Sequence, residues 1–487
     1  MIAPDLATFK RLARKGNLIA VMDSVPADLE TPVSSFLKLA GKSANAFLLE
    51  SAEQEAKTGR YSFICLKPEA VLSSGKISSK KVSTSKKHPH LINAIEADLR
   101  GYKLANPEML PGFCGGYVGF LSYENVEHFE DVQLNSKKKE IDFPAAVFFL
   151  VREFLIFDHF RKTLSAVKIV KLDLAKSVES QYKQACQNVA ASLKRLRLPL
   201  RLPKASKRIP KTVLKSNLSH ADFCKKVGRI KEYIRAGDCI QVVLSQRFTL
   251  PPVQDDFQIY RALRSVNPSP YMFYFRCGKY RLIGSSPEML VKKTGKEAEL
   301  RPIAGTRPRG ATQQADLAHE ENLKKSIKET AEHLMLVDLG RNDLGRVCEF
   351  DSIKVKNFAR VERYSHVMHL VSDVTGRLKP GKSAFDLLRN TFPAGTVSGA
   401  PKIRAMQIID ELEPEKRGPY AGCLGYFSFN QDMDMCITIR TLALNEKHIY
   451  LQAGAGIVKD SSPEKEYEET VNKAKGLLKA LAMQKDY

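Results

Sequence analysis

Apolar residues recur along this chain with two periods. Phe223, Val227, Ile230 and Ile234 are spaced by three or four positions, which lines one face of a helix, and Ser219 with Asp222 opens that helix while Gly237 closes it. Short runs rich in β-branched and aromatic residues predict strands at 46–51, 61–66, 145–158, 239–248, 271–276, 280–285, 423–429, 435–444 and 448–456. Many of these runs follow one another across short polar turns. That spacing favours an α+β fold of antiparallel sheets flanked by helices over a doubly wound parallel sheet. No repeat of 20–50 residues is present.

The segment 195–217 (RLRLPLRLPKASKRIPKTVLKSN) breaks both periods with three prolines and many cations, the composition of a linker. It divides the chain into a region over 1–200 and a region over 215–487. At 487 residues, 43% apolar and 27% charged, the chain has ample material for a core and is neither disordered nor fibrous. Nine cysteines without a CxxC pair disfavour a disulfide framework and a zinc site. With no export signal and no membrane span, a cytoplasmic location is expected.

Lysine and arginine outnumber aspartate and glutamate 77 to 54, a net charge of +23. Much of the excess sits in runs at 76–81, 86–88, 137–139 and 194–215 that lack aromatic residues, so the stacking platforms of a single-strand binder are missing. A solvated basic surface is expected, with neither nucleic acid nor membrane as partner.

Two acidic pairs share one spacing: Glu329 with Glu332, and Glu466 with Glu469, the latter on a helix opening at Ser462 and Pro463 that also carries Lys473. Four carboxylates converging from two helices would bind a hard divalent cation such as magnesium. On spacing alone, either pair by itself is better read as an ordinary solvated helix face.

Other motifs are weaker. GRLKPGKS (376–383) matches the phosphate-loop pattern and LMLVD (334–338) imitates its partner strand, which makes a P-loop nucleotide-binding protein the alternative from another class. Arg377, Leu378, Lys379 and Pro380, however, fill positions that want small residues with free N–H groups, and LMLVD continues the helix of Glu329. HVMH (366–369) offers two histidines without a third ligand, or a catalytic acid or base. Cys423 in AGCLGY is read as a strand cysteine, since no His-x-Glu partner follows. Glycine-rich turns at 302–310, 392–402 and 452–458, with Arg440, Lys402 and Lys473 nearby in sequence, suit a dianionic substrate.

Taken together, LLES (48–51), NPSPYMF (267–273), GSSPEML (284–290), RPIAGTRPRG (301–310), AEHLMLVDLGRNDLGRV (331–347), SHVMHLVSDVTG (365–376), PAGTVSGAPKIRAMQIIDELEP (393–414) and QAGAGIVKDSSPEKEYEETVNKA (452–474) resemble the chorismate-utilising enzymes, most closely the anthranilate synthase large components. The resemblance implies two interleaved lobes of largely antiparallel sheets packed face to face with helices outside. It also implies a Mg²⁺-dependent reaction in which ammonia adds to C2 of chorismate, the C4 hydroxyl leaves and pyruvate is eliminated. By the same resemblance Glu332 and Glu469 hold the metal directly, and Glu329 and Glu466 hold its waters. Glu288 matches the general acid, and His369 the histidine of the elimination half. Tyr420, Arg440, Gly454 and Gly456 would meet the enolpyruvyl carboxylate, Lys473 would help hold the ring carboxylate, and Gly305 and Thr306 would join the substrate set.

Two positions separate subclasses. Gln241 stands where water-using relatives carry a lysine base, and with Thr396 it fits ammonia, which needs no deprotonation to attack. Ala304 stands where aminodeoxychorismate synthases carry lysine; that activity is the alternative within the family. Glu50, Ser51, Pro270, Tyr271 and Met272 resemble a regulatory tryptophan site. A separate glutamine amidotransferase subunit is the expected ammonia source.

Overall fold

Two large sheets carry the chain, which repeatedly steps from one to the other. The computed structural model describes residues 2–51, 59–74, 85–87, 90–135, 138–200, 214–364 and 367–484. The basic run at 76–81, part of those at 86–88 and 137–139, and most of the linker lie outside the described residues. Among the described residues the first sheet runs, in spatial order, Leu18–Pro26, Thr163–Lys171, Glu153–Asp158, Tyr61–Cys65, Asn45–Glu50, Tyr271–Cys277, Tyr280–Ser286, Thr441–Leu444, Ile449–Ile457, Gln241–Leu250 and Lys215–Ser216, with Gly399–Ala400 also paired to Gln241–Leu250. The second runs Ile303–Pro308, Val367–Arg377, Glu297–Leu300, Met289–Thr294, Met433–Ile437, Cys423–Ser428, Gly116–Leu121, Ala146–Val151, Ala70–Ser74 and Ser85–Lys87, with Lys354–Arg363 on Val367–Arg377. Ladder pairings are antiparallel except between the last two strands of the second sheet. Both sheets take strands from before and after the linker, so the lobes interleave.

The sheets pack face to face. Phe275 of the first stacks on Phe149 of the second with centroids 4.5 Å apart, and Phe120 meets Phe275 edge-on at 5.8 Å. The other face of the first sheet is covered by helices, among them Pro32–Leu39, Val178–Leu196, Asp256–Val266 and Pro463–Met483, whose buried Phe36, Val189, Phe257 and Leu477 join one apolar cluster with Leu48 and Tyr274. The helix His220–Arg235 forms as its spacing predicts: Ser219 caps the Asp222 amide, Phe223, Val227 and Ile230 are buried, and Gly237 follows the last turn at φ +83°.

Two predicted strands are each two strands. The run 145–158 breaks at Arg152: Ala146–Val151 lies in the second sheet and Glu153–Asp158 in the first. The run 435–444 likewise ends at Ile437 and resumes at Thr441 in the other sheet, with Arg440 at φ +48° in the crossing. Hydrophobicity is continuous through both because residues on either side are buried, and periodicity reports burial without saying against which layer. Ser383 of the phosphate-loop match caps the helix Ala384–Thr391 in a capping box with Asp386, and LMLVD lies inside the helix Ile327–Gly345. Neither forms a phosphate cradle. Ser462 starts the helix Pro463–Met483, but its hydroxyl bonds the Glu464 carboxylate instead of capping a backbone amide. Cys423 is a buried strand residue whose thiol burial pushes up to about 12.

A Cβ added at Gly284 would lie 2.1 Å from the Phe273 ring, its cross-strand neighbour. Gly284→Ala is therefore expected to destabilise the protein by roughly 1–3 kcal/mol through overpacking, read as a lowered urea midpoint.

Candidate active site

A cavity of about 790 Å³ lies where the chain crosses between the sheets. Its floor is the adjacent strands Gln241–Leu250 and Ile449–Ile457, which present Gln241, Val243, Gly454 and Gly456. A Cβ at Gly454 would stand 2.7 Å from the Tyr420 hydroxyl, and one at Gly456 would stand 2.5 Å from Gln241 Nε2. Both neighbours can approach the floor only because these residues are glycine. Strands Ile303–Pro308 and Val367–Arg377 bring in Gly305, Thr306 and His369, and Gly305 adopts φ +64°.

Glu288 and Arg440 sit at two crossings between the sheets. Glu288 follows the strand ending at Ser286, and its carbonyl accepts from the Ile437 amide at 3.0 Å; the Arg440 carbonyl accepts from the Ser285 amide at 3.1 Å. Burial raises the Glu288 carboxyl to about 7, against the opposing pull of the Thr396 hydroxyl, Lys473 and Arg440. Burial also lowers the Arg440 guanidinium, while Glu288 favours its charge. His369 is lowered chiefly by burial and further by Arg440 and Lys473. Its Nδ1 lies 2.8 Å from the Gly305 carbonyl, which only accepts, so the proton is on Nδ1 and Nε2 keeps a lone pair.

Two helices close the cavity with acid. Ile327–Gly345 supplies Glu329 and Glu332, and Pro463–Met483 supplies Glu466, Glu469 and Lys473. Burial and then Glu329 raise the Glu332 carboxyl; burial raises that of Glu466, with Glu469 adding to it. Gln241 Nε2 donates to Glu332 at 3.2 Å, Arg307 pairs with Glu329 at 3.0 Å, and Lys473 bonds Glu469 at 2.7 Å and the Gly454 carbonyl at 3.0 Å. Among the described residues no three carboxylate, imidazole or thiolate groups stand close enough to enclose a metal ion unaided. The four glutamates nevertheless face one cavity and are hard oxygen donors.

Every residue that the resemblance places at the catalytic, substrate and metal positions lines this cavity, as does Ala304. Lys402, expected near a dianionic substrate, does not line it and is buried in an ion pair with Asp343 at 2.7 Å. His366 of HVMH lies outside the described residues. Sequence reasoning missed Gln452, which also lines the cavity, and the buried pair beneath it, Glu413 and Arg417. Gln452 opens the QAGAG stretch, in which the glycines carry the sequence signal. Glu413 and Arg417 are four apart, a spacing indistinguishable in sequence from a surface ion pair.

The expected regulatory residues gather at another place. Met272 is directly opposite Glu50 across the strand pair, and the buried Glu50 carboxylate accepts from the Tyr260 hydroxyl and from Arg264 at 3.0 Å. The Ser51 hydroxyl is buried beside it without a hydrogen-bond partner, and Pro270 precedes the strand. Tyr271 alternates to the opposite face and donates to Asp434 at 2.9 Å, so its side chain does not join the others.

A sequence profile of chorismate binding enzymes matches residues 44–479. The chain belongs to the chorismate binding enzyme family. This family member is 45% identical to anthranilate synthase component 1 of Acetivibrio thermocellus, with 99% of each chain covered. It is 44% identical to that of Synechocystis sp., again with 99% of each covered. The crystal structure of anthranilate synthase component I from Streptococcus pneumoniae superposes with a TM-score of 0.75 at 35% identity, covering 93% of this chain and 98% of that one. The menaquinone-specific isochorismate synthase of Escherichia coli shares the fold, with a TM-score of 0.72 at 21% identity over 98% of this chain and 100% of its own.

Because Glu288 binds its proton more tightly folded than unfolded, its contribution to stability is full below its ordinary carboxylate range and is lost as pH rises through about 7. Glu288→Gln removes that loss. Relative to wild type, the variant is expected to gain stability in going from pH 5 to pH 8, measured by urea unfolding at each pH.

Proposed function

We propose that this chain converts chorismate and ammonia to anthranilate and pyruvate, the entry step of tryptophan biosynthesis. The observation that carries the proposal is the convergence of the expected catalytic, substrate and metal residues on one cavity in a chain 42–45% identical to anthranilate synthase component 1 of other organisms. Glu288, half protonated near pH 7, gives its proton to the departing C4 hydroxyl as ammonia adds at C2, and the hydroxyl leaves as water. His369 Nε2 then takes the C2 proton while the bond from C3 to the enolpyruvyl oxygen breaks, releasing pyruvate after protonation of the enolate. Arg440, Tyr420 and the amides near Gly454 and Gly456 hold the enolpyruvyl carboxylate. Gln241 cannot deprotonate a water, which supports ammonia as the nucleophile, and the methyl side chain of Ala304 leaves the elimination step open.

Glu332 and Glu469 would hold Mg²⁺ directly, and Glu329 and Glu466 through water. As hard oxygen donors facing one cavity, they suit an ion that keeps part of its hydration shell. Bound there, the ion supplies charge neutralisation for the ring carboxylate and the leaving oxygen. We further propose that a separate amidotransferase subunit delivers ammonia, that L-tryptophan binds beside Glu50, Ser51 and Met272, and that the enzyme is cytoplasmic. Among the described residues no helix is long and apolar enough to cross a membrane.

Incubation with chorismate, Mg²⁺ and ammonium is expected to give anthranilate, identified by fluorescence and mass, and EDTA is expected to abolish it. Aminodeoxychorismate as the product would overturn the proposal. Glu332→Gln and Glu469→Gln are expected to lose nearly all turnover while keeping the wild-type melting temperature; full activity in either would sink the metal assignment. Glu288→Gln is expected to slow turnover by roughly 10²–10⁴-fold. For regulation, Glu50→Gln is expected to retain turnover and lose sensitivity to L-tryptophan by about tenfold or more, the worth of one charge-assisted hydrogen bond. Unchanged inhibition in that variant would reject the site.

A further inference from the structure

Gln452 has an amide whose orientation is dictated from beneath. Buried Arg417 donates through Nε and Nη2 to Glu413 at 2.9 and 2.7 Å. The Ser245 hydroxyl, also buried, bonds Glu413 Oε1 at 2.7 Å. A carboxylate ion-paired to arginine is an acceptor, so the hydroxyl spends its proton there and can only accept from Gln452, whose Nε2 lies 2.8 Å away. The amide oxygen is thereby turned away from Ser245. Gln452 Oε1 is buried, has no hydrogen-bond partner, and belongs to a side chain on the cavity wall. A buried acceptor in this state calls for a donor that arrives with the reactants.

We infer that Gln452 orients the attacking ammonia. This rests on the ammonia-using reading above. Chorismate meets the wall with carboxylates and an ether oxygen, all acceptors, and its one hydroxyl is served by Glu288; ammonia is the reactant rich in N–H donors. An amide oxygen takes an N–H hydrogen bond without taking the proton, and it leaves the nitrogen lone pair directed away from the wall. Gln241 has the same polarity at the other end of the glycine floor: its Nε2 is committed to Glu332, and its Oε1 is buried without a partner. Two fixed, neutral acceptors thus flank Gly454 and Gly456. Ser245 acts as a positioning residue through Gln452.

The test is steady-state kinetics of the full chain with Mg²⁺, varying ammonium and chorismate separately. Gln452→Met is expected to raise the KM for ammonium roughly five- to tenfold, as loss of one hydrogen bond would, with the KM for chorismate changed by less than about twofold. Ser245→Ala is expected to shift the same constant in the same direction by less, since the amide loses its tether and turns; it carries the test should Gln452→Met fail to fold. An unchanged ammonium KM in a variant with the wild-type melting temperature overturns the inference. A rise confined to chorismate also overturns it, placing the oxygen against the substrate hydroxyl. Absence of anthranilate from the wild type would reject the ammonia-using reading and this inference together, whereas wild-type turnover with unchanged variants would reject the inference alone.

Discussion

The buried ion pair between Glu413 and Arg417 is the interaction on which the cavity's geometry depends. Both side chains are nearly sealed from water, and their two carboxylate oxygens and three guanidinium nitrogens join two other segments, the strand Gln241–Leu250 and the turn at Val397. Arg417 donates to the carbonyls of Val397 at 2.7 Å and Val243 at 2.8 Å, and lies over the Tyr420 ring at 5.5 Å. Glu413 accepts from the Ser245 amide at 2.8 Å as well as from its hydroxyl. Val397 follows Thr396, Val243 lies two residues from Gln241, and Ser245 holds Gln452. A buried pair of this kind contributes little net stability against desolvation, but removing one partner costs about 3–5 kcal/mol because the other charge is stranded. Its value is therefore in fixing one arrangement of the floor and rejecting others.

Above that anchor, the seam between the sheets sets the electrostatics. Glu288 and Arg440 are each placed where the chain leaves one sheet for the other, a position with apolar layers on both sides and little water. Burial penalises the charged form of both, raising the acid and lowering the base. The seam thus keeps a carboxylic acid available near neutral pH and an arginine with little solvent to compete for its hydrogen bonds. The helix-borne glutamates occupy the cavity beside this seam, where Arg307 and Lys473 partly balance their charge. One cavity therefore combines a proton donor at its sheet-built end with a strongly anionic end suited to a cation.

The residues expected to bind a regulator and those of the cavity floor share a sheet. Tyr271 and Met272 are neighbours in sequence, yet strand alternation sends one toward Asp434 between the sheets and the other toward Glu50 under the helices. The strand Tyr271–Cys277 pairs on its other edge with Tyr280–Ser286, whose Ser286 hydroxyl donates to the Ile437 carbonyl at 2.6 Å, two residues before Glu288. Met272 thus lies on the strand beside the one that leads into Glu288.

Much of this protein was written locally. The helix from His220 follows from its apolar spacing and its Ser219 cap; the carboxylate pairs follow from i, i+3 geometry; Cys423 was legible as a strand residue, and the long motifs named the family. Such features depend on neighbours within about one turn or two strand residues, and periodicity records those directly. Where the chain changes sheets at Arg152 and near Arg440 was not legible, because residues on both sides are buried and apolar whichever layer they join. Nor was the role of Gln452 or of Glu413 and Arg417, whose meaning lies in hydrogen bonds to residues about 170 to 210 positions away. Sequence alone determined which elements form and which chemical groups they carry. Only the tertiary structure decided which of those groups meet, how far water is excluded from them, and which way an amide points.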